Sequence, residues 1–236
     1  MKTYATTLAL ACALTVTQRA AAQDVSHTGS PWYAGVVAGP RYHLDGSRDA
    51  FSGSTVGFAA GLLVSRDVLP ASSRWELAVE LGAELEADTG ELHQAWRTSV
   101  SSVAPFAGVS VRFRLLRWLL PYLRVNAGGT WHEVSLDAMD GSGALTGGAW
   151  GFQGSAGLGL MFQTGTFARE GAFRRVRFAF TLEGGAVYAA PVTLEVEPRA
   201  PSDEREAADR LPVQRVRLGE LDASASYIRL GVGLRF

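Results

Sequence analysis

The chain has one cysteine, Cys12, and one lysine, Lys2, both close to the N-terminus. The rest of the sequence therefore has no disulfide framework, no thiol nucleophile and no cysteine-based metal site. After the N-terminal stretch no run of about 18 apolar residues occurs, which excludes a transmembrane helix. A basic surplus is also missing. Losing Lys2 and Arg19 with an N-terminal leader leaves 20 of the 22 basic residues against 23 acidic ones, a net charge of −3. Such a balance argues against a nucleic-acid partner and against binding by charge to an anionic membrane surface.

The leader is legible. MKTYATTLALACALTVTQRAAAQ carries an early positive charge at Lys2, an apolar run from about Tyr4 to Val16, and the small-residue site Ala20-Ala21-Ala22. This is the pattern of a secretory signal peptide. Cleavage is placed after Ala22, although Arg19 is an unusual charge so near the site. An acylated leader ending at Cys12 is disfavoured, because the apolar stretch before it is short and Ala9 stands where a leucine is usual. Glycine is plentiful at 27 of 236 residues, about 11% against a usual ~7%.

Beyond the leader the dominant signal is a period of two. In 74–87, Trp75, Leu77, Val79, Leu81, Ala83 and Leu85 fall on one side, and Glu76, Ala78, Glu80, Gly82, Glu84 and Glu86 on the other. A helix would scatter those glutamates around its surface; a strand separates them. Eight segments share the pattern: 32–43, 54–65, 74–87, 99–115, 121–133, 149–163, 174–189 and 223–236. Each reaches the ~9–11 residues that a tilted strand needs to cross hydrocarbon, and exceeds the usual soluble strand of about 5–6. Connections after the second, fourth and sixth segments are short, and the last connection, over 190–222, is much longer. The expected fold is all-β: a transmembrane antiparallel up-and-down barrel of eight strands after a cleaved signal peptide. Residues 1–22 form the leader and 23–236 a single barrel domain. An even strand number places both termini on the periplasmic side, with a long extracellular loop at 190–222.

Aromatics gather where the two interfaces would lie. Trp32, Trp75, Phe113, Trp118, Phe162 and Phe236 mark the periplasmic end; Tyr42, Trp96, Trp131, Trp150 and Tyr188 mark the outer end. Rings with a polar edge favour the headgroup level. The chain closes on alternating Ile228, Leu230, Val232, Leu234 and Phe236. That ending resembles the C-terminal assembly signal of Gram-negative outer-membrane proteins, and the whole chain resembles the small OmpA-like and OmpW-like barrels. The resemblance implies an integral outer-membrane location, contact with outer-membrane lipid and lipopolysaccharide, and the barrel assembly machinery as a partner. No further domain is expected after the barrel.

The face opposite the apolar one is charged. It carries Arg41, Glu76, Glu80, Glu84, Glu86, Arg112, Arg114, Arg124, Arg175, Arg177, Glu183, Arg229 and Arg235. An eight-stranded lumen is just wide enough for its side chains to fill it, and unpaired buried charges are costly, so these groups are expected to pair. Glu76 lies near the level of Arg112 and Arg114, and Glu183 could face Arg229. The expectation is a charge-paired, closed lumen. The sharper alternative is a narrow path leaning toward anions, since Arg112, Arg114, Arg124, Arg175 and Arg177 lie toward the periplasmic end and Glu84 and Glu86 toward the outer one; a lipid-facing substrate slot is a further alternative.

Catalysis finds little support. Lipid A deacylases among the small barrels carry a His-x-Ser pair, and none of His27, His43, His93 or His132 is followed by Ser at that spacing. In WHEVS, His132 and Ser135 would point to opposite faces of a strand, so the stretch reads as the start of a polar loop. LDAMDGSG, with Asp137 and Asp140, has too few spaced oxygen ligands for a calcium loop and reads as a turn-rich surface loop. No catalytic residue, cofactor or metal is expected. The segment 195–222 mixes acidic residues, arginines and three prolines, a composition that is largely disordered when free. REAADRLP within it could form a short helix. The function expected is non-enzymatic: a structural or anchoring barrel, or a subunit of a secretion, adhesion or motility complex that meets another envelope protein through 190–222. The alternative is a narrow channel or OmpW-like transporter of small or hydrophobic solutes.

Overall fold

The computed structural model describes residues 32–45, 53–68, 74–92, 95–140, 143–164, 176–198 and 215–236. The leader, Arg175 and the stretch containing REAADRLP lie outside the described residues. The strands are β1 (Trp32–His43), β2 (Val56–Asp67), β3 (Trp75–Leu92), β4 (Trp96–Phe113), β5 (Leu119–Ala138), β6 (Ala144–Gln163), β7 (Arg177–Ala189), β8 (Val192–Pro198), β9 (Val216–Leu221) and β10 (Ala225–Arg235). All pairings are antiparallel. Each strand from β1 to β6 pairs with the next, β6 pairs with β7, β7 with β10, and β10 with β1. The ring is closed, and closure leaves no edge for lipid to solvate.

The two extra strands are continuations. β8 follows β7 after Ala190 and Pro191, and its register against β6 moves by one residue, from Gln153↔Ala189 to Gly147↔Val196. A shift of one residue is a bulge, placed here at a proline that cannot donate to the ladder. β9 pairs with β8 and leads into β10 through Asp222–Ser224. Ser224 ties the junction: its amide donates to Asp222 Oδ1 at 2.8 Å, and its Oγ accepts from the Ala189 amide at 3.0 Å. The wall therefore has eight strands, and part of the segment expected to be a long loop extends the seventh and eighth beyond it.

The alternation governs every strand. On the outside, Val79, Leu81, Leu85, Val103, Val109, Leu123, Val125, Leu158, Leu182, Leu230 and Val232 are exposed. Their neighbours in sequence point inward and are buried, or half-buried where they are glycines. Between Val103 and Phe113 the outer face of β4 is apolar over ten residue steps, about 33 Å of strand. At the tilt usual for such barrels this rises about 25 Å, the height of a hydrocarbon band. Paired rings bound it. Trp75 and Phe113 lie 4.8 Å apart and Trp118 stacks on Phe162 at 6.2 Å at the end carrying the termini; Trp131 and Trp150 lie 5.4 Å apart at the far end. Trp32, at the terminal end, lies under the Arg66 guanidinium at 5.3 Å. Trp131 rests on the backbone of Gly148, where a Cβ would meet its ring at 2.3 Å.

Beyond the far girdle the polarity inverts, on β5 without a change of phase and on β8 after the one-residue bulge. On β5 the outer positions become Glu133, Ser135 and Asp137, and the inner ones Val134 and Leu136; on β8 the outer ones are Thr193, Glu195 and Glu197, and the inner ones Val192, Leu194 and Val196. Val100, Val134, Leu136, Val192, Leu194, Val196 and Leu221 form a buried apolar core there. Inside the belt the interior is polar; past it the interior is apolar and the outside wet. Water, not hydrocarbon, is the solvent this extension fits. Two expectations change as a result. WHEVS and Leu136–Ala138 belong to β5, as its far end, rather than to a loop, because their faces still alternate with polarity reversed. Trp96 packs against the inner core of the extension instead of joining the girdle.

Belt and extension should respond differently to one substitution. Val125→Arg, near the middle of the belt, is expected to cost about 2–4 kcal/mol of stability in lipid vesicles, against about 1 or less for Glu133→Arg beyond the girdle. Urea titrations of vesicle-refolded protein measure both; equal costs would remove the assigned belt boundary.

Candidate functional site: a chain of charges through the lumen

The pleat sends β3 glutamates into the lumen at every second position, and β1, β4, β5 and β10 answer with arginines. The register sets who meets whom. Glu183 and Arg229 are directly opposite across β7 and β10, and the Arg229 Nη2 to Glu183 Oε1 distance is 2.6 Å. Glu76 is opposite Arg112 across β3 and β4, yet its own partners are Arg114 Nη2 at 2.6 Å and Arg235 Nη2 at 2.8 Å. Arg112 instead reaches Asp67 at 2.9 Å and Glu80 at 3.3 Å, and donates to Ser65 Oγ at 2.8 Å. A guanidinium spans several residues of wall, so the nearest carboxylate is often not the one across the ladder.

Followed end to end among the described residues, the contacts make one sequence in which basic and acidic side chains alternate. From the far rim it runs His43, Glu86, Arg41, Glu84, Arg229, Glu183, Arg124, Glu80, Arg112, Asp67, Arg235, Glu76 and Arg114. Each of the six carboxylates uses one oxygen for the basic group on one side and the other oxygen for the next. Arg41 holds Glu86 at 3.1 Å and also grips Glu84. Arg124 Nη1 lies 2.6 Å from Glu183 Oε2. Its Nε lies 2.6 Å from Glu80 Oε2, a close ion contact whose angle is too poor for an aligned hydrogen bond. Ser110 donates to Glu80 Oε1 at 2.5 Å. Two phenols complete Glu183: Tyr122 donates to Oε2 at 2.7 Å and Tyr227 to Oε1 at 2.6 Å.

Glycines make room for these rings. A Cβ on Gly159 would meet the Tyr122 ring at 2.4 Å, and one on Gly157 the Tyr227 hydroxyl at 2.4 Å. Part of the glycine excess thus buys space for aromatics in a narrow lumen. Toward the terminal end an apolar cluster of Tyr33, Leu63, Phe106, Leu120, Tyr122, Met161 and Ala179 fills what the ions do not. Two cavities of about 10 Å³ remain beside Arg41 and Glu84, each room for about one water.

This is a plugged eight-stranded barrel.

Of the residues singled out in the sequence, Arg41, Glu76, Glu80, Glu84, Glu86, Arg112, Arg114, Arg124, Glu183, Arg229 and Arg235 join the chain. Arg177 shares the lumen face at the terminal end, half-buried, and joins no ion pair among the described residues. The separation of arginines from glutamates suggested by the sequence is absent along the chain, because Asp67, Glu76, Glu80 and Glu183 sit between the arginines. Asp67 was missed: it continues the inward parity of β2 two residues past the segment drawn in the sequence. His43, Tyr122 and Tyr227 were also missed as partners, although each lies on an inward position. His132 lies inside as well, 2.8 Å through Nδ1 from Ser102 Oγ. Ser135 and Glu133 are on the other face, so WHEVS assembles no catalytic set.

No family model matches the chain, and no curated protein matches it by sequence. Among solved structures it is similar to the outer membrane protease OmpT of Escherichia coli, at 7% identity and a TM-score of 0.48, covering 91% of this chain and 99% of that one. It is also similar to the attachment invasion locus protein Ail of Yersinia pestis, at 12% identity and a TM-score of 0.44, covering 89% and 100%. The neisserial surface protein NspA gives 11% identity and a TM-score of 0.47, covering 88% and 98%. At such identities no residue of this barrel can be equated with a residue of those proteins.

Glu183 is the most heavily used member of the chain. Glu183→Gln leaves Arg124 and Arg229 buried with half their compensation, and is expected to cost about 3–5 kcal/mol. Glu197→Gln, which removes only an exposed pair with Arg215 at 3.4 Å, is expected to cost less than about 1 kcal/mol. Urea midpoints in vesicles decide the contrast.

Proposed function

We propose that the protein is an integral outer-membrane barrel that acts as a non-enzymatic anchor, or as a subunit of a cell-envelope complex of the secretion, adhesion or motility type. The observation that carries this reading is the filled lumen. Paired charges occupy it from Glu86 to Arg114 and apolar side chains pack beside them, which supports a lumen closed to solute. A wall with a closed lumen is suited to holding something. The part best placed to hold a partner is the extension past the far girdle, where an apolar core stiffens strands whose outer faces carry Thr193, Glu195, Glu197, Arg217 and Glu220. Rigid scaffolds commonly present recognition segments in this way.

The leader supports export, the apolar belt supports an outer-membrane site, and an even number of wall strands keeps both termini on one side, read here as the periplasmic one. In that setting lipid and lipopolysaccharide surround the belt. The closing alternation from Ile228 to Phe236 supports delivery by the barrel assembly machinery.

Two measurements test the reading. Purification from native membranes in mild detergent is expected to bring down one protein at equal stoichiometry, and deletion of 200–213 to release it; a bare barrel would sink the complex. In planar bilayers the protein is expected to be silent. Discrete conductance steps that vanish in Arg112→Ala/Arg114→Ala would move the function to the channel alternative.

A further inference from the structure

The two rims of the barrel differ in charge. At the end carrying the termini, the connections 68–74, 114–118 and 164–176 contain six arginines and one acid, Glu170. The nearest strand acids, Asp67 and Glu76, face inward and hold Arg112, Arg114 and Arg235. At the far rim the outward arginines meet acids. Arg215 lies 3.4 Å from Glu197 and Arg217 3.7 Å from Glu220, and Arg97 stands opposite Asp137 across β4 and β5. Exposed Glu133 and Glu195 add further negative charge there.

Three arginines at the terminal end accompany girdle rings. Arg66, outward on β2, lies over Trp32 at 5.3 Å. Arg74 precedes Trp75, and Arg117 precedes Trp118. All three arginines are exposed, as are Trp75 and Trp118. A guanidinium stacked by its face keeps its donors at its edge, where a phosphate is gripped by two parallel hydrogen bonds. Arg74 is seated through its carbonyl, which accepts the Arg114 amide at 2.8 Å.

The β4–β5 turn adds an apolar element. Leu116 and Leu119 exchange backbone hydrogen bonds at 3.2 and 3.3 Å, so Arg117 and Trp118 form a two-residue tip. Tips of this length usually carry asparagine and glycine. This one carries a cation and an indole, and Leu115 and Leu116 before it are 55% and 45% exposed. In water these side chains would make a bare apolar patch, and such patches mark a binding surface. Trp118 stacks on Phe162 at 6.2 Å, which makes the patch continuous with the apolar belt. Its cover is therefore the lipid that covers the belt, at the level where acyl chains give way to phosphates.

We propose that this rim binds the phosphates of anionic glycerophospholipids, with Arg66, Arg74 and Arg117 as the phosphate ligands and Leu115, Leu116 and Trp118 seated in the acyl boundary. The tryptophans fix the depth, and the arginines reach past them to the headgroups. Each arginine near an anionic surface raises affinity about fivefold, so three of them make the surrounding lipid ring selective. The proposal rests on the membrane-spanning belt and not on the anchor reading; a barrel without a protein partner binds these lipids equally.

Quenching of tryptophan by brominated acyl chains tests this. The full barrel, with Trp131→Phe/Trp150→Phe to silence the far girdle, is refolded into phosphatidylcholine vesicles. A minor fraction of the lipid is brominated, either as phosphatidylglycerol or as phosphatidylcholine. Brominated phosphatidylglycerol is expected to associate at least about fivefold more strongly, with the preference fading in ~1 M salt. Arg66→Gln/Arg74→Gln/Arg117→Gln is expected to remove the preference, and Arg97→Gln/Arg215→Gln to keep it. Heat-modifiable migration in gels checks that each variant is folded. Equal quenching by the two lipids, a preference indifferent to salt, or one that survives the triple substitution would overturn the proposal. So would cutting by trypsin at Arg117 in vesicles of extracted native lipid but not in native envelopes, which would give the patch to a protein.

Discussion

A carboxylate in a narrow lumen needs compensation on both of its oxygens, and this requirement organises the interior. Glu183 shows it most fully, with Arg124 and a phenol at one oxygen and Arg229 and a phenol at the other. Five other acids meet the same demand with fewer partners. The strands that supply them are not neighbours around the wall; Arg229 on β10 reaches Glu84 on β3 across β1 and β2. The chain of charge is therefore a brace across the barrel as well as a plug along it, and it fixes the strands from within while the ladder fixes them edge to edge.

The outside obeys a different solvent at each height. Between the two rings of aromatics, the residues facing out are those that hydrocarbon accepts. Past Trp131 and Trp150 they are Glu133, Ser135, Asp137, Glu195 and Glu197, and the apolar residues have moved inside. The strands do not break at the boundary, because alternation requires only that the two faces differ, not which of them is apolar. The extension is thus a small water-soluble β-structure grown directly from a lipid-soluble one, with the bulge at Ala190 and Pro191 adjusting the seventh strand as it passes from one to the other.

Much of this was legible in the sequence. Period-two alternation located all eight wall strands, and β1 to the residue, because lipid and lumen demand opposite polarity over a stretch too long to arise by chance. The far ends of β3 to β6 were read short. The eye follows apolar residues on the outer face, and at Glu133 or Asp88 that signal stops although the strand does not; Val134 and Leu136 on the inner face would have shown the continuation. The partnership of Glu183 with Arg229 was accessible from sequence because the two lie directly opposite. Those of Arg112 with Asp67, Arg235 with Glu76 and Arg41 with Glu86 were not, since they depend on register across two or more strands and on the reach of a guanidinium. The contact of His43 with Glu86 belongs to the same class.

A chain in which every acid serves two bases carries a constraint on the history of the protein. Changing one charge inside the chain leaves two neighbours with half of their compensation, and each of those then depends on a single further group. Neutral drift at these positions is therefore closed to single steps. The lumen can be rewritten only by substitutions that arrive together or follow one another quickly, whereas the belt outside it can exchange one aliphatic residue for another freely. Two faces of the same strands, one residue apart, evolve at different tempos.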